Sequence, residues 1–495
     1  MKEKRTGAYL TVFLSLLLAS FLAFIMALSD GIQRNTMLVE SEMALDTACY
    51  SALAEYHKEL LKQYDLFFID SSYGYSTPGA SAVGDHIKKY AQENLSGTNF
   101  LDMEVLDISM DEVLVATDME CQPMKQQIVE YMKRELSIDL LEEVIQGYES
   151  TCETKLDQNE ILNKRDSNKK TLDNAPNPTK VKKHKSVDPK TGKVSIKEEI
   201  EEVPIVDPAA GVNQRRSAGV LYWVVDDVAS ISRETVNQAN CFSHRTPKIK
   251  GTDTPLSGMG KNRKDDSDKW LPYFEERALI NQYLFEKCGY YGHEKEGSKL
   301  SYQVEYLIAK KDCDIDNLKT VVTQISAMRE AANAVYLYSD PAKMAEITAL
   351  ASTVAAVALA PYLQPIIEVS ILFGWAYVES LQDIKILLDG GKVPLIKTSS
   401  DWHTSLSAAM GLSAPLGDCK SGRGLDYRGY LTILLAAQTE YSQLEYLTDL
   451  IEMDIRETKY NENFRMDGCI GGFSATGTFR GKGGYQCSIH RTYGY

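Results

Sequence analysis

The residue types that most often perform chemistry do not form a recognisable catalytic motif in this sequence. The seven histidines are far apart, and none belongs to an H-E-x-x-H zinc motif. No serine occupies the centre of a G-x-S-x-G nucleophile elbow. Gly260 and Lys261 resemble the end of a phosphate-binding loop, but Pro255 replaces its first glycine and Asn262 replaces its hydroxyl residue. We therefore predict no catalytic residue, no metal ligand and no cofactor, and we do not expect an enzyme.

One further segment is a partial match to a cation-binding motif. Asp70 and Ser72 follow a short apolar run, as in the D-x-S-x-S motif of von Willebrand factor A domains, whose oxygens hold a divalent cation. Gly74 occupies the last position, where that motif has a hydroxyl residue. The sequence therefore favours a simple turn at this point.

The cysteines give a weak indication of a disulfide bond. There are nine, with no C-x-x-C pair, which argues against a zinc site or a thioredoxin-like motif. Cys469 and Cys487 flank a glycine-rich stretch and are the best candidate pair. Buried or free thiols explain the pattern equally well, and an odd number leaves one cysteine unpaired.

The elements that organise the chain begin with an apolar segment at residues 7–29, which contains no charged residue. Its Leu, Ile, Val and Phe residues supply on the order of −5 kcal/mol for insertion into a bilayer. As a helix it reaches about 34 Å, enough to cross a hydrocarbon core of about 30 Å. Lys2, Lys4 and Arg5 precede it, so the positive-inside rule places residues 1–6 in the cytoplasm and the C-terminus outside the cell. A cleaved signal peptide is the alternative, but its apolar core would be shorter.

A long amphipathic helix is predicted to continue the anchor as a stalk over residues 30–65. One face of it carries the candidate residues for packing against a partner: Leu38, Leu45, Cys49, Ala52 and Tyr56. The same periodicity is expected if this face packs on the protein's own ectodomain, and the pattern alone does not separate the two interpretations.

The remaining sequence predicts an α+β ectodomain outside the membrane. We expect a first part at 66–151, a flexible linker or insertion at 152–211, and a second part at 212–495. The linker prediction rests on its polar composition, with a basic run at 180–185 and an acidic run at 198–202. Apolar runs at 219–225 and 302–308 predict buried strands, and short strands are expected after residue 464.

The long apolar region at 344–388 could form a second membrane pass. It is interrupted by Pro361 and Pro365, and it contains Glu379 and Asp383. A buried helical hairpin is therefore favoured over a membrane helix. The net charge of −15 argues against a nucleic-acid partner, which would require a basic face.

Several stretches in combination resemble a known family. Besides the anchor and stalk, they are residues 64–70 (YDLFFID), 316–318 (DNL), 329–333 (REAAN), 375–380 (WAYVES), 390–395 (GGKVPL), 401–402 (DW) and 425–431 (LDYRGYL). Together they resemble the TadE/TadG-like pseudopilins, membrane-anchored proteins found mainly in Gram-positive anaerobes beside genes for the tight-adherence (Tad) pilus. Processed pilins carry a Glu at the fifth position after the cleavage-site Gly, whereas Val12 is fifth after Gly7.

The resemblance implies a structural or assembly role in a Tad-type pilus or secretion system. The expected partners are other pilins or pilus-assembly membrane proteins, with membrane lipid contacted through residues 7–29. The alternative is a surface adhesin or ligand-binding ectodomain on the same anchor.

Overall fold

The computed structural model describes residues 3–96, 101–152, 158–187, 194–205, 207–249, 251–252, 256, 273–411, 416–417 and 422–495. Its helices are α1 (Glu3–Leu53), α2 (Lys58–Tyr64), α3 (Ala80–Ser96), α4 (Asp118–Glu135), α5 (Ile138–Cys152), α6 (Gln158–Asp173), α7 (Ala210–Ala218), α8 (Leu221–Val224), α9 (Tyr273–Lys287), α10 (Gln303–Ala309), α11 (Asp314–Ser339), α12 (Pro341–Val357), α13 (Gln364–Leu388), α14 (Leu406–Met410), α15 (Tyr427–Ala436) and α16 (Glu440–Arg456). Its strands are β1 (Ile69–Asp70), β2 (Glu104–Val115), β3 (Thr179–Val187), β4 (Val194–Glu202), β5 (Cys469–Arg480) and β6 (Gln486–Gly494). The protein therefore combines helices and strands, as the α+β prediction expects.

The chain forms two compact units, each assembled from segments that are distant in sequence. The first unit comprises Met1–Glu135, Gln238–Pro272 and Leu444–Tyr495, and the second comprises Leu136–Asn237 and Tyr273–Gln443. The predicted division at 66–151, 152–211 and 212–495 followed sequence order and differs from this arrangement. The difference arises because the C-terminal strand β5 pairs with β1 and β2 from the N-terminal part of the chain. Pairing between strands so distant in sequence cannot be recognised from the residues around either strand.

Strand β5 is the centre of the sheet in the first unit. It pairs antiparallel with β1, β2 and β6, and the β2 ladder contains irregularities near Asp107, Glu112 and Val115. The C-terminal strands predicted from the sequence are therefore present, although they are longer than expected. Just after β5, a Cβ atom on Gly481 would lie 2.3 Å from Met37 Cε, so a glycine permits close approach to α1.

Helix α1 joins the apolar N-terminal segment to the core of the first unit without interruption. It is the one helix in the described part of the chain that is long and apolar enough to cross a membrane. The predicted stalk, however, does not continue as one helix to residue 65. Helix α1 ends at Leu53, and a new helix, α2, begins at Lys58. His57 caps α2 by accepting a hydrogen bond from Leu60 N at 3.1 Å. Asp65, with φ of 54°, then ends α2 in the left-handed conformation.

The parts of residues 152–211 that the structure describes contain more secondary structure than the linker interpretation predicts. They contain α6, whose Leu172 is buried, and the hairpin of β3 and β4. The basic and acidic runs face each other across that hairpin, with Lys182–Glu201 and Lys183–Glu198 ion pairs. Ion pairs between the two strands stabilise this polar hairpin, so it does not need a large apolar core to form.

Two predicted strands are helices in the second unit. Residues 221–224 form α8, and residues 303–309 form α10. Gln303 to Ile308 are all buried, so α10 shows no polar face from which a helical period could be recognised. Short apolar runs of this length do not distinguish a strand from a buried helix.

The predicted helical hairpin at 344–388 is confirmed. Helices α12 and α13 meet at a short connection that contains Pro361, and Pro365 lies in the first turn of α13. Helix α13 is buried along its C-terminal half and packs against α11, α12 and α6. It carries two carboxylates that are 0% exposed, Glu379 and Asp383.

Candidate functional site

The candidate partner-packing residues of α1 lie mostly in the core of the first unit. Leu45, Cys49 and Ala52 are all 0% exposed and belong to one apolar cluster with residues of α3, β5 and β6. Leu38 is 39% exposed, and Tyr56 lies beyond the end of α1, where it bridges Ile69. The interpretation of Leu45, Cys49 and Ala52 as partner contacts is therefore corrected: this face packs on the protein's own ectodomain. Burial, together with Asp46, raises the pKa of the Cys49 thiol to about 12.

Polar contacts fix α1 against strand β6. Arg491 pairs with Glu42 at 3.0 Å, and the Tyr493 hydroxyl donates a hydrogen bond to Asp46. The thiol of Cys487 donates to the Ser41 hydroxyl at 3.4 Å. These contacts hold the helix at a defined rotation, because its acidic residues face specific donors on the strand. The remaining side of α1 is thereby presented away from the core.

We call this remaining side the outer face of α1, formed by Ile32, Val39, Met43 and Tyr50. All four side chains are more than half exposed. Their spacings of seven, four and seven residues place them on one stripe of a helix with 3.6 residues per turn. Phe21, Ile25 and Leu28 of the apolar segment lie on the same stripe. The outer face therefore extends the apolar surface of the segment onto the folded unit.

The predicted disulfide bond between Cys469 and Cys487 is absent, and both residues are free thiols. Cys487 lies opposite Phe479 across the β5–β6 hairpin, whereas Cys469 is the first residue of β5. Phe479 lies ten residue steps along β5 from Cys469, a distance of about 33 Å at the usual rise per residue. The two sulfur atoms therefore cannot meet, and the sequence-based pairing is corrected.

The Asp70–Ser72 segment forms the simple turn that its sequence favours. Asp70 Oδ1 accepts a hydrogen bond from Ser72 N at 2.9 Å, and Oδ2 accepts one from the Ser72 hydroxyl at 2.9 Å. The Ser71 hydroxyl donates to the carbonyl oxygen of Gly468 at 2.6 Å. Both carboxylate oxygens are thus used within the turn.

A second polar feature, in the other unit, was not recognised as a site from the sequence. We call it the buried ionic centre, and it consists of Arg329 on α11, Glu379 and Asp383 on α13, and Lys397 in the segment that follows α13. Each of these side chains is at most 1% exposed. Lys397 Nζ contacts Glu379 Oε1 and lies 2.6 Å from Asp383 Oδ1. Arg329 Nε donates to Asp383 Oδ2 at 3.0 Å.

Glu379 is held as an anion by its surroundings. Burial by itself raises its pKa, but hydrogen bonds from His403 and Thr404 together with the charge of Lys397 lower the pKa to about 2. The backbone N–H groups of His403 and Thr404 donate to Oε1 and Oε2 at 3.0 and 2.9 Å. The Thr404 hydroxyl adds a third bond, to Oε2 at 2.6 Å.

Aromatic rings cover the centre on one side, where Lys397 Nζ lies 5.3 Å from the centroid of the Trp402 ring. Trp375 and Trp402 meet edge to face with ring centroids 5.4 Å apart, and Tyr336 stacks on Trp402 at 5.2 Å. Lys343 Nζ lies 5.0 Å from the centroids of both indole rings. These rings keep water from the charges beneath them and strengthen each ionic contact.

The ligand atoms of Glu379, Asp383 and His403 lie within 4.8 Å of one another, which is close enough to hold a metal ion. The surrounding charges do not fit one. The ammonium of Lys397 already contacts both carboxylates, and Arg329 takes the other oxygen of Asp383. Two cations balance two carboxylates, so no negative charge remains to attract a divalent cation. The carboxylates of Glu379 and Asp383 therefore suit the ammonium group of Lys397 and not a metal ion.

The sequence did contain a signal for the buried ionic centre. Glu379 and Asp383, with Gln364 and Glu368, were the polar residues that argued against a second membrane helix. Four of the stretches on which the family resemblance rests also line the centre: 329–333, 375–380, 390–395 and 401–402. Charged residues four apart in an apolar helix indicate a buried polar site. Their partners, Arg329 and Lys397, could not be identified, because they come from other elements.

Within its described residues the protein is mixed α and β and has one candidate membrane helix, which continues into a folded unit. The second unit is mainly helical and contains the charge-neutral ionic centre. The chain belongs to a protein family of unknown function, DUF5702, whose family model matches residues 195–481. No curated protein and no solved structure matches the chain.

Proposed function

We propose that this protein is a membrane-anchored structural or assembly component of a Tad-type pilus or secretion system, and not an enzyme. In this proposal the N-terminus is cytoplasmic, and both folded units lie outside the cell. The observation that carries the proposal is the continuity of α1, which links the exposed apolar segment to the core of the first unit.

A continuous helix transmits position and force between a membrane and a folded unit better than a flexible tether does. The fixed rotation of α1, set by contacts such as Arg491–Glu42, gives its outer face a defined direction. Helices in a bilayer associate through lateral packing, so partners that enter along the membrane segment would continue onto this face. The resemblance to TadE/TadG-like pseudopilins supports other pilins or pilus-assembly membrane proteins as those partners.

The buried ionic centre is consistent with a non-enzymatic role towards external molecules. Its four charged side chains pair with one another, each is at most 1% exposed, and aromatic rings lie over them. A substrate would have no direct access to these groups. The centre instead fixes the segment after α13 against α11 and α13.

Site-specific cross-linking in native membranes tests the proposal. Val39→Cys places a reactive thiol on the outer face, whereas Gln33→Cys places one on the same helix away from that stripe. We expect a cross-link from position 39 to a pilin or pilus-assembly membrane protein, and little or none from position 33. The native Cys49 does not interfere, since it is buried.

A substitution provides the complementary measurement. Val39→Glu should reduce copurification of the cross-linked partner while leaving the thermal unfolding of the protein unchanged, and Gln33→Glu should affect neither. Equal cross-linking at positions 33 and 39, or none at either, would refute the outer face as an assembly surface.

A further inference from the structure

The position of Lys397 permits a covalent reaction within the buried ionic centre. Its Nζ lies 2.6 Å from Oδ1 of Asp383 and also contacts Oε1 of Glu379. All three side chains are at most 1% exposed. In water an amine and a carboxylic acid remain separate ions, but exclusion of water and fixed proximity favour condensation to an amide. We propose that Lys397 and Asp383 become joined by an intramolecular isopeptide bond, with Glu379 transferring the protons.

Asp383 is the carboxyl group placed to react. Its Oδ2 accepts hydrogen bonds from Arg329 Nε at 3.0 Å and from Asn333 Nδ2 at 3.1 Å. Two donors on one oxygen stabilise the negative charge that develops when a nucleophile attacks the carboxyl carbon. The other oxygen, Oδ1, faces Lys397 and is the one that can leave.

Glu379 is the carboxyl group placed to transfer protons. Its Oε1 contacts the attacking nitrogen, while Thr404 holds Oε2 through both its backbone N–H and its hydroxyl. These donors fix the carboxylate next to Nζ, in the position from which it can take a proton as the C–N bond forms. Thr404 also places two donors on Glu379 Oε2, but both are neutral, whereas Asp383 Oδ2 faces the cationic guanidinium of Arg329. Glu379 is therefore the poorer electrophile.

The reaction requires no oxidant and no cofactor. The Lys397 ammonium gives one proton to Asp383 Oδ1 and a second to Glu379 Oε1 while Nζ attacks Cγ. The Cγ–Nζ bond forms, and negative charge collects on Oδ2 opposite Arg329 and Asn333. Glu379 then passes its proton to Oδ1, the Cγ–Oδ1 bond breaks, and one water molecule leaves. The third proton stays on the amide nitrogen, and the total charge is unchanged.

The bond would tie the segment after α13 covalently to α13. It closes a loop over residues 383–397 and limits the conformations of the unfolded chain, as a disulfide bond of similar span does. Unlike a disulfide bond, it would persist under reducing conditions. This property suits a unit that must resist mechanical or proteolytic unfolding, and the inference does not depend on the proposed pilus partners.

Peptide mass spectrometry of the full-length protein, purified from membranes, tests the inference directly. Trypsin should release a branched product that joins residues 344–385 to residues 393–420. Its mass should equal the sum of the two peptides minus one water molecule, with no cleavage after Lys397. Fragmentation should locate the link between Asp383 and Lys397.

Three variants provide the controls. Lys397→Arg keeps the positive charge but removes the primary amine, and Glu379→Gln removes the base, so both should abolish the branched product. Lys343→Arg, a conservative change beside the same tryptophans, should leave it intact. A wild-type protein that yields only linear peptides cleaved after Lys397 would overturn the inference, whether or not the variants fold. A link that maps to Glu379 would also overturn it.

Discussion

Arg165 on α6 donates a hydrogen bond from Nη1 to Oε2 of Glu330 on α11 at 2.9 Å. The Glu330 side chain is only 2% exposed, and its second partner, Arg216 on α7, binds both carboxylate oxygens. A segment with the composition of a flexible linker therefore neutralises a buried charge in the second unit. Removing the whole segment would leave that charge with one partner fewer.

Replacing Arg165 with Ala should lower the free energy of unfolding by about 1–3 kcal/mol, the usual range for a hydrogen bond to a buried charged group. The matched control is Lys164→Ala, since Lys164 and Glu160 form an ion pair whose side chains are 64% and 67% exposed. An exposed pair of this kind contributes roughly 0–1 kcal/mol. Chemical denaturation of the detergent-solubilised protein measures both changes. Equal effects of the two variants would show that α6 does not stabilise the fold through Glu330.

The stability of the second unit should depend on pH through Glu305. Burial raises the pKa of this carboxyl from 4.5 to about 7, against the opposing effect of hydrogen bonds from Tyr291 N and the Tyr427 hydroxyl. The folded chain thus holds a proton that the unfolded chain has already lost, so stability decreases as pH rises from about 4.5 to 7. Glu305→Gln should remove this dependence and, above pH 7, stabilise the protein by up to about 3 kcal/mol relative to wild type.

The measurement for Glu305 is the difference in unfolding free energy between wild type and variant across this pH range. Glu294→Gln serves as the control, because Glu294 is an exposed glutamate in the same unit. A constant difference between wild type and Glu305→Gln from pH 4.5 to 8 would contradict the prediction.

Ala52→Glu should destabilise the first unit by about 3–5 kcal/mol, because Ala52 is 0% exposed and the added carboxylate would have to be buried or displace α1. Thr47→Glu introduces the same charge at an exposed position of α1 and should change stability little. Thermal unfolding followed by circular dichroism compares the two variants. Normal unfolding of Ala52→Glu combined with loss of partner binding would mean that the inner face of α1 is free for partners after all.

Trypsin added to intact, wall-stripped cells should cleave the protein outside the membrane. The β3–β4 hairpin offers exposed lysines, among them Lys182 and Lys183. An N-terminal fragment that retains the apolar segment should remain with the cells. Complete protection of the chain, with cleavage only after the cells are lysed, would show the opposite orientation.

Periodicity and composition were sufficient to predict several elements. The apolar segment, the long helix that follows it, the α12–α13 hairpin and the C-terminal strands each have a local cause. Uninterrupted apolar length, a 3.6-residue period, prolines at a helix junction and β-branched or aromatic residues near glycines are all properties of neighbouring residues. Where a run was short and buried on every side, as in α10, no period remained to be recognised, and the predicted strand proved to be a helix.

The sequence alone determined that Glu379 and Asp383 lie on one side of an apolar helix, since they are four residues apart. Only the tertiary structure decided that Arg329 and Lys397 neutralise them, that the inner face of α1 packs on β5 and β6, and that Cys469 and Cys487 lie far apart. The physical reason is the same in each case. These relationships depend on which distant segments pack together. Packing minimises unpaired buried charge and exposed apolar surface over the whole chain, and a local sequence pattern contains no information on that global balance.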